Sequence, residues 1–294
     1  VAQLTKNSKV FTMIAITGVS GQLGRQVVEE LLKSVEANSV VAIVRTPAKV
    51  SDLAGRGVQV RAADYNDKSA MQQALAGVEK LLLVSSSEVG QRAIQHRNVI
   101  DAAKAAGVKL IAYTSLLHAD TSPLGLAEEH VATEKMLKES GVPFVLLRNG
   151  WYTENYLASL PAALQHGVFI GSAGAGKIAS ATRADYAAAA AKVLTLDNQA
   201  GKTYELAGDR GWTLAELAEE VSRQSGKTVV YQNLSEAEFK AALLGAGLPE
   251  GFAAMLANSD IGASKDGLFD DSHQLSQLTG RPTTSLAESV RSTL

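Results

Sequence analysis

Residues 14–24 read Ile14-Ala15-Ile16-Thr17-Gly18-Val19-Ser20-Gly21-Gln22-Leu23-Gly24. An apolar strand runs into a glycine loop. The loop runs into a helix whose apolar residues are Leu23, Val27, Val28, Leu31 and Leu32. Glycines at 18, 21 and 24 let the backbone turn tightly and approach a pyrophosphate. The helix start offers unpaired N–H groups and the positive end of its dipole. The common dinucleotide fingerprint is G-x-G-x-x-G; here the spacing is G-x-x-G-x-x-G. A tight turn without a ligand is the alternative reading. The strand before it and the amphipathic helix after it argue for the phosphate.

Working outward, Val40-Val41-Ala42-Ile43-Val44 is a continuous β-branched run, as in a strand buried on both faces. It ends at Arg45. In a dinucleotide fold, this strand end meets the adenosine ribose. An acidic residue there would bond the 2′-hydroxyl, whereas the forked cation of Arg45 suits a 2′-phosphate. That favours NADPH over NADH; a solvated surface arginine is the other reading. Val58–Asp64 reads as the third strand, and the Asp64–Asp67 stretch after it reads as a helix cap. The fourth, Lys80–Val84, ends in Ser85-Ser86-Ser87. These small residues either admit a diphosphate and ribose or form an ordinary turn.

A long helix is expected over 88–107, with Val99, Ala102, Ala103 and Ala106 on one face and Gly107 as its C-cap. Val108–Tyr113 then forms strand five, closed by Thr114-Ser115. A helix ends at Ser140-Gly141, and Val142–Arg148 is strand six. Six strands alternating with helices imply an α/β, Rossmann-type doubly wound parallel sheet. Residues 13–150 are expected to form this domain.

Beyond Gly150 the rhythm changes. Residues 151–294 are expected to form mainly a smaller C-terminal α/β lobe, with some segments returning to the first domain. An alanine-rich helix is expected over 185–196 and a strand over 228–231. Thr213/Glu216 and Ser235/Glu238 have capping-box form. The loop with Gly171, Gly174 and Gly176 lacks P-loop spacing and reads as a strained turn.

The 294 residues carry a net charge of −2, which points away from nucleic acid and anionic membranes. With no cysteine, disulfides and thiolate chemistry are excluded, and five scattered histidines show no metal spacing. No apolar run reaches the length of about 18 residues that a membrane helix needs. Residues 1–12 lack a signal peptide's apolar region and read as an added extension before Met13. A cytoplasmic location is the expectation.

Assembled, the chain resembles the NmrA-like group of atypical short-chain dehydrogenases/reductases, and within it the bacterial NADPH:quinone oxidoreductases. The resemblance runs from Met13 onward. It rests on Thr17–Gly24, Arg45, Ser140-Gly141-Val142-Pro143, Leu147-Arg148-Asn149-Gly150 and Glu154-Asn155-Tyr156. It implies hydride transfer from NADPH to a small-molecule quinone, without membrane insertion; a homodimer is compatible with it. It places Asn149, Gly150, Trp151, Tyr152, Thr153 and Glu154 at the cofactor, together with Thr114 and Arg183, and Asp64 beside the adenine, where a helix cap is the other reading. Asn155 and Tyr156 face substrate; for Trp151 and Tyr156, simple packing between lobes is the other reading.

One departure from the wider superfamily matters. Its usual acid/base pair is a tyrosine with a lysine four residues on, the lysine lowering the tyrosine's pKa. None of the seven tyrosines here has that partner. His130 stands in the tyrosine's place and Glu134 in the lysine's. Either His130 donates a proton, its pKa raised by Glu134 one turn away, or the two form a helix-surface pair. Two further functions fit the missing pair: a dinucleotide-binding redox sensor acting through a protein partner, and a reductase of another activated alkene.

Overall fold

The computed structural model describes residues 12–294; apart from Thr12, the expected extension lies outside them. Nine strands are described. They are β1 Ile14–Thr17, β2 Val40–Val44, β3 Gln59–Ala62, β4 Lys80–Leu83, β5 Leu110–Leu116, β6 Phe144–Asn149, β7 Val168–Gly171, β8 Thr203–Leu206 and β9 Val230–Asn233. Seven of them form one parallel sheet in the order β3-β2-β1-β4-β5-β6-β8. After β3 the chain crosses back to lay β4 against the free side of β1. The switch point of the sheet therefore lies between β1 and β4, where open α/β folds bind ligands.

Sequence explains why the sheet is buried. β1, β2 and β5 are buried at every position, as apolar strands covered by helices on both sides must be. One face packs under the helices Gln22–Leu31 and Arg183–Thr195. The other packs under Lys68–Ala74, Arg92–Ala106 and Ala127–Ser140. Val99, Ala102 and Ala103 are fully buried, as their spacing predicts.

Several element ends differ from expectation. The fourth helix begins at Arg92 rather than 88, because Gly90 takes φ +86° and the turn before it is occupied by the serine segment. Strand β5 runs on to Leu116, so Thr114 and Ser115 are strand residues rather than a closing turn. The later strand is Val230–Asn233, and it pairs in parallel with β7.

The chain after Gly150 is divided between two bodies. Helix Arg183–Thr195 packs along Gln22–Leu31, and β8 extends the main sheet beside β6. Helix Gln274–Thr279 packs on Arg183–Thr195 and on β8, burying Leu275 in the main core, while much of the remainder builds a second core around Trp212, Leu217, Val221 and Phe169. Both expected capping boxes form, each bond satisfying an otherwise unpaired helix N–H. The glycine-rich loop is a packing device: a Cβ on Gly176 would lie 2.1 Å from the Ala263 carbonyl oxygen.

Candidate active site

The glycine loop is the floor of the site. Gly18 takes φ +65°, open to glycine at little cost, and its carbonyl accepts from Gly21 N at 2.9 Å. That turn delivers the chain into helix Gln22–Leu31, whose N-terminus has no side-chain cap and no acidic residue in its first turn. Gly24 lies so close to the turn that a Cβ would sit 2.6 Å from Gly18 O. Val19 is fully buried and plugs the core beneath the loop. The first-turn N–H groups are thereby free and aimed by a rigid backbone, the arrangement an anionic phosphate requires.

Above this floor is a cleft of about 350 Å³ at the carboxyl ends of β1 to β4. Of the expected residues, it is lined by Gly18, Ser20 to Gly24, Arg45, Asp64, Ser85 to Ser87 and Arg183. Arg45 is the cation at the β2 end. It meets Glu88 at 3.2 Å and stands 3.9 Å from Asp64. Asp64 also accepts from Asn66 N, while Asp67 caps the following helix. The helix cap is therefore Asp67, while Asp64 stands in the cleft wall beside Arg45.

The serine turn is braced from behind. Ser86 N donates to His96 Nε2 at 3.0 Å, and Ser86 O accepts from Arg92 Nε at 2.7 Å. Thr114 does not line the cleft; its Oγ1 accepts from Ser85 N at 2.8 Å. His96 and Arg92 are buried. Burial, with help from Arg92, pushes the His96 imidazole down to about 3. It therefore stays neutral and keeps an acceptor for Ser86.

His130 is placed differently from both readings of it. Its Nδ1 lies 2.8 Å from the Tyr113 hydroxyl and its Nε2 3.5 Å from Arg92. Burial, with repulsion from Arg92, pushes its pKa well below the ordinary imidazole range. The expected rise from Glu134 does not occur, because Glu134 pairs with Arg148 and with Ser115 instead. Nor is the pair on the helix surface: His130 is 6% exposed and Glu134 3%. His130 does not line the cleft.

The segment after β6 adjoins the cleft through Arg183 rather than lining it. Arg183 N and Nη2 donate to Glu154 and Asn155, and its guanidinium stacks 4.3 Å over the Tyr152 ring. Gly150 N donates to Leu206 O, and Thr153 Oγ1 meets Ser180 Oγ. Asn149 is buried, with Oδ1 unpartnered. Trp151 packs against the second core, and Tyr156 is inside it, its ring edge-on to Trp212 at 5.2 Å. The expectation that Tyr156 faces substrate is therefore corrected.

Sequence reading missed Tyr65, Glu88 and Gln95 in the cleft wall. Tyr65 immediately follows Asp64, and its hydroxyl donates to Val84 O at 2.7 Å, a tie that strand-end position alone signals. Gln95 is 2% exposed and its Oε1 has no partner. A buried orphan acceptor in the wall, an uncapped helix and a glycine contact without room for a Cβ all fit a ligand that brings both phosphate and hydroxyl groups.

A phosphate floor at the switch point of a parallel sheet, with a ribose-side cation, defines a dinucleotide-binding α/β protein. The chain belongs to the NmrA-like family, which matches residues 11–288. It is 70% identical to Quinone oxidoreductase 2 of Escherichia coli strain K12 over 278 residues, 95% of this chain and 97% of that one. It superposes with a TM-score of 0.94 on the crystal structure of NADPH-dependent quinone oxidoreductase from Escherichia coli complexed with NADPH, at 70% identity over 95% of this chain and 99% of that one. Triphenylmethane reductase of Citrobacter sp., complexed with NADP(H), superposes at 0.92 with 42% identity over 96% and 100% of the two chains.

Proposed function

We infer that this chain transfers hydride from NADPH to a quinone. The observation that carries the reading is the cleft itself: a phosphate-binding floor at Gly18–Gly24, with Arg45 at the end of β2. The 70% likeness to a quinone oxidoreductase supports the substrate class.

NADPH, when bound, supplies the hydride. The chain's own residues position the reaction. The loop and uncapped helix hold the pyrophosphate, and Arg45 holds the 2′-phosphate. His96 and Arg92 keep the serine turn in place against the cofactor. The segment after β6 reaches this cleft through Arg183, which donates to Glu154 and Asn155. Asn155 is fixed through Oδ1 by Arg183 Nη2 at 2.9 Å, which leaves its Nδ2 as a donor end for the acceptor's oxygen.

No Tyr/Lys pair is needed for this acceptor. A quinone receiving hydride becomes a stabilised phenolate, weaker as a base than the alkoxide formed from a ketone. Neutral donors can hold it until water supplies a proton. The buried, neutral His130 fits a framework role tied to Tyr113. The net charge of −2 favours a small-molecule partner over nucleic acid. No helix among the described residues is long and apolar enough to cross a membrane.

The test uses purified protein and follows NADPH oxidation by absorbance, with and without a simple benzoquinone. Quinone-dependent oxidation is expected. Tight NADPH binding without it would overturn the enzyme reading and leave a dinucleotide sensor.

A further inference from the structure

The mouth of the cleft is spanned by an ion pair. Arg45, at the end of β2, and Glu88, in the turn after β4, stand on opposite walls and meet at 3.2 Å. Glu88 is anchored from behind: its other oxygen accepts from Gln95 Nε2 at 2.8 Å. Gln95 is buried in the first turn of helix Arg92–Ala106. Arg45 is the more exposed partner, 67% against 45% for Glu88. Asp64 stands on its other side at 3.9 Å. The cation on which recognition of a 2′-phosphate rests is thus already occupied by one carboxylate and flanked by a second.

We propose that Glu88 is a specificity-setting residue: its carboxylate holds the place on Arg45 that the 2′-phosphate of NADPH takes, and so narrows the preference for NADPH over NADH. The proposal rests on the assignment of the cleft to a nicotinamide dinucleotide. A 2′-phosphate brings close to two negative charges. To reach Arg45 it must displace Glu88 Oε1 and then sit beside a carboxylate that Gln95 prevents from swinging away. NADH brings a hydroxyl donor instead. Glu88 or Asp64 can accept from that donor with the ion pair still closed. The same carboxylate therefore opposes one dinucleotide and accommodates the other. Because the pair is solvent-exposed, its effect is a few-fold adjustment of preference rather than a switch.

Glu88→Gln tests this. It keeps an acceptor for Gln95 and removes the charge. The half-exposed position leaves folding intact, which the Tm of the variant checks. Dissociation constants for NADPH and NADH are measured by calorimetric titration, with 2′-AMP and 5′-AMP as fragments that isolate the ribose phosphate. NADPH and 2′-AMP are expected to bind about three- to fivefold more tightly to the variant, with NADH unchanged or weaker and 5′-AMP unchanged. Arg45→Asp should abolish the preference whichever residue stands at 88. If NADPH binds but the NADPH-to-NADH ratio does not move in Glu88→Gln, the role of Glu88 is overturned and the cofactor assignment stands. If the unmodified protein binds no NADPH at all, both fall together.

Discussion

Both carboxylate oxygens of Glu134 are held by the Arg148 guanidinium, Nε on Oε1 at 2.9 Å and Nη2 on Oε2 at 2.8 Å. The same guanidinium reaches Glu205 on β8 at 2.9 Å. One buried cation therefore ties helix Ala127–Ser140 to β6 and β8. Arg148→Ala would leave two carboxylates with little solvent and no cation. We expect a loss of about 3–5 kcal/mol, read from urea denaturation. Glu134→Gln in that background should recover part of it. A single variant within experimental error of the parent would show that the contact carries no stability.

Two neutral buried histidines make the fold acid-labile. His96 is lowered to about 3 from an ordinary 6.5, and His130 is also lowered well below it. Above the ordinary value both are neutral, folded or not, and stability is full. As pH falls below it, the unfolded chain takes up protons that the folded chain refuses. Each histidine then costs about 1.4 kcal/mol per pH unit until its folded pKa is reached. Denaturation measured across this window should show a shallower slope in His96→Gln combined with His130→Gln. An unchanged slope would mean that the histidines are not buried neutral.

Gly24→Ala sets two effects against each other. Alanine favours a helix over glycine by about 1 kcal/mol. Its Cβ, however, would lie 2.6 Å from Gly18 O and 2.9 Å from Gly18 C. Relieving that overlap costs about 1–3 kcal/mol and shifts the loop that receives the pyrophosphate. The clash should win: a lower Tm, and NADPH bound about tenfold more weakly. A raised Tm with unchanged affinity would show that the close approach is dispensable.

Tyr156 has a buried hydroxyl without a partner. An unpaired polar group of this kind costs about 1–3 kcal/mol. Tyr156→Phe should therefore be neutral to stabilising, since the edge-on contact with Trp212 remains. The quinone KM should not change. A raised KM would bring Tyr156 back to the substrate.

What the sequence disclosed was local. Gly18 to Gly24 could be read because turn, helix start and close approach lie within one short stretch. Arg45 could be read because strand β2 ends where its apolar run ends. His130 and Glu134 misled for the opposite reason. Spacing of four on a helix suggests a pair, but Glu134 is satisfied by Arg148 on a strand that arrives later, and that partner is invisible to periodicity. Glu88 and Gln95 were missed likewise, since their role depends on Arg45 across the cleft. The alanine-rich helix Arg183–Thr195 has no single apolar stripe to show which body it joins. Its burial against Gln22–Leu31 emerges only from packing.

Strand β8 and helix Arg183–Thr195 have a consequence for anyone wishing to exchange the acceptor end of this enzyme for another. A chain cut at Gly150 would lose the edge strand of its own sheet and the helix lying along the phosphate-loop helix. It would also lose Glu205, and with it one of Arg148's anchors. The exchangeable material is thus not a tail but two stretches, one on each side of residues 183–206, and the second is itself interrupted by helix Gln274–Thr279, which packs back on Arg183–Thr195 and β8. A chimera would have to graft both at once and preserve the scaffold stretch between them.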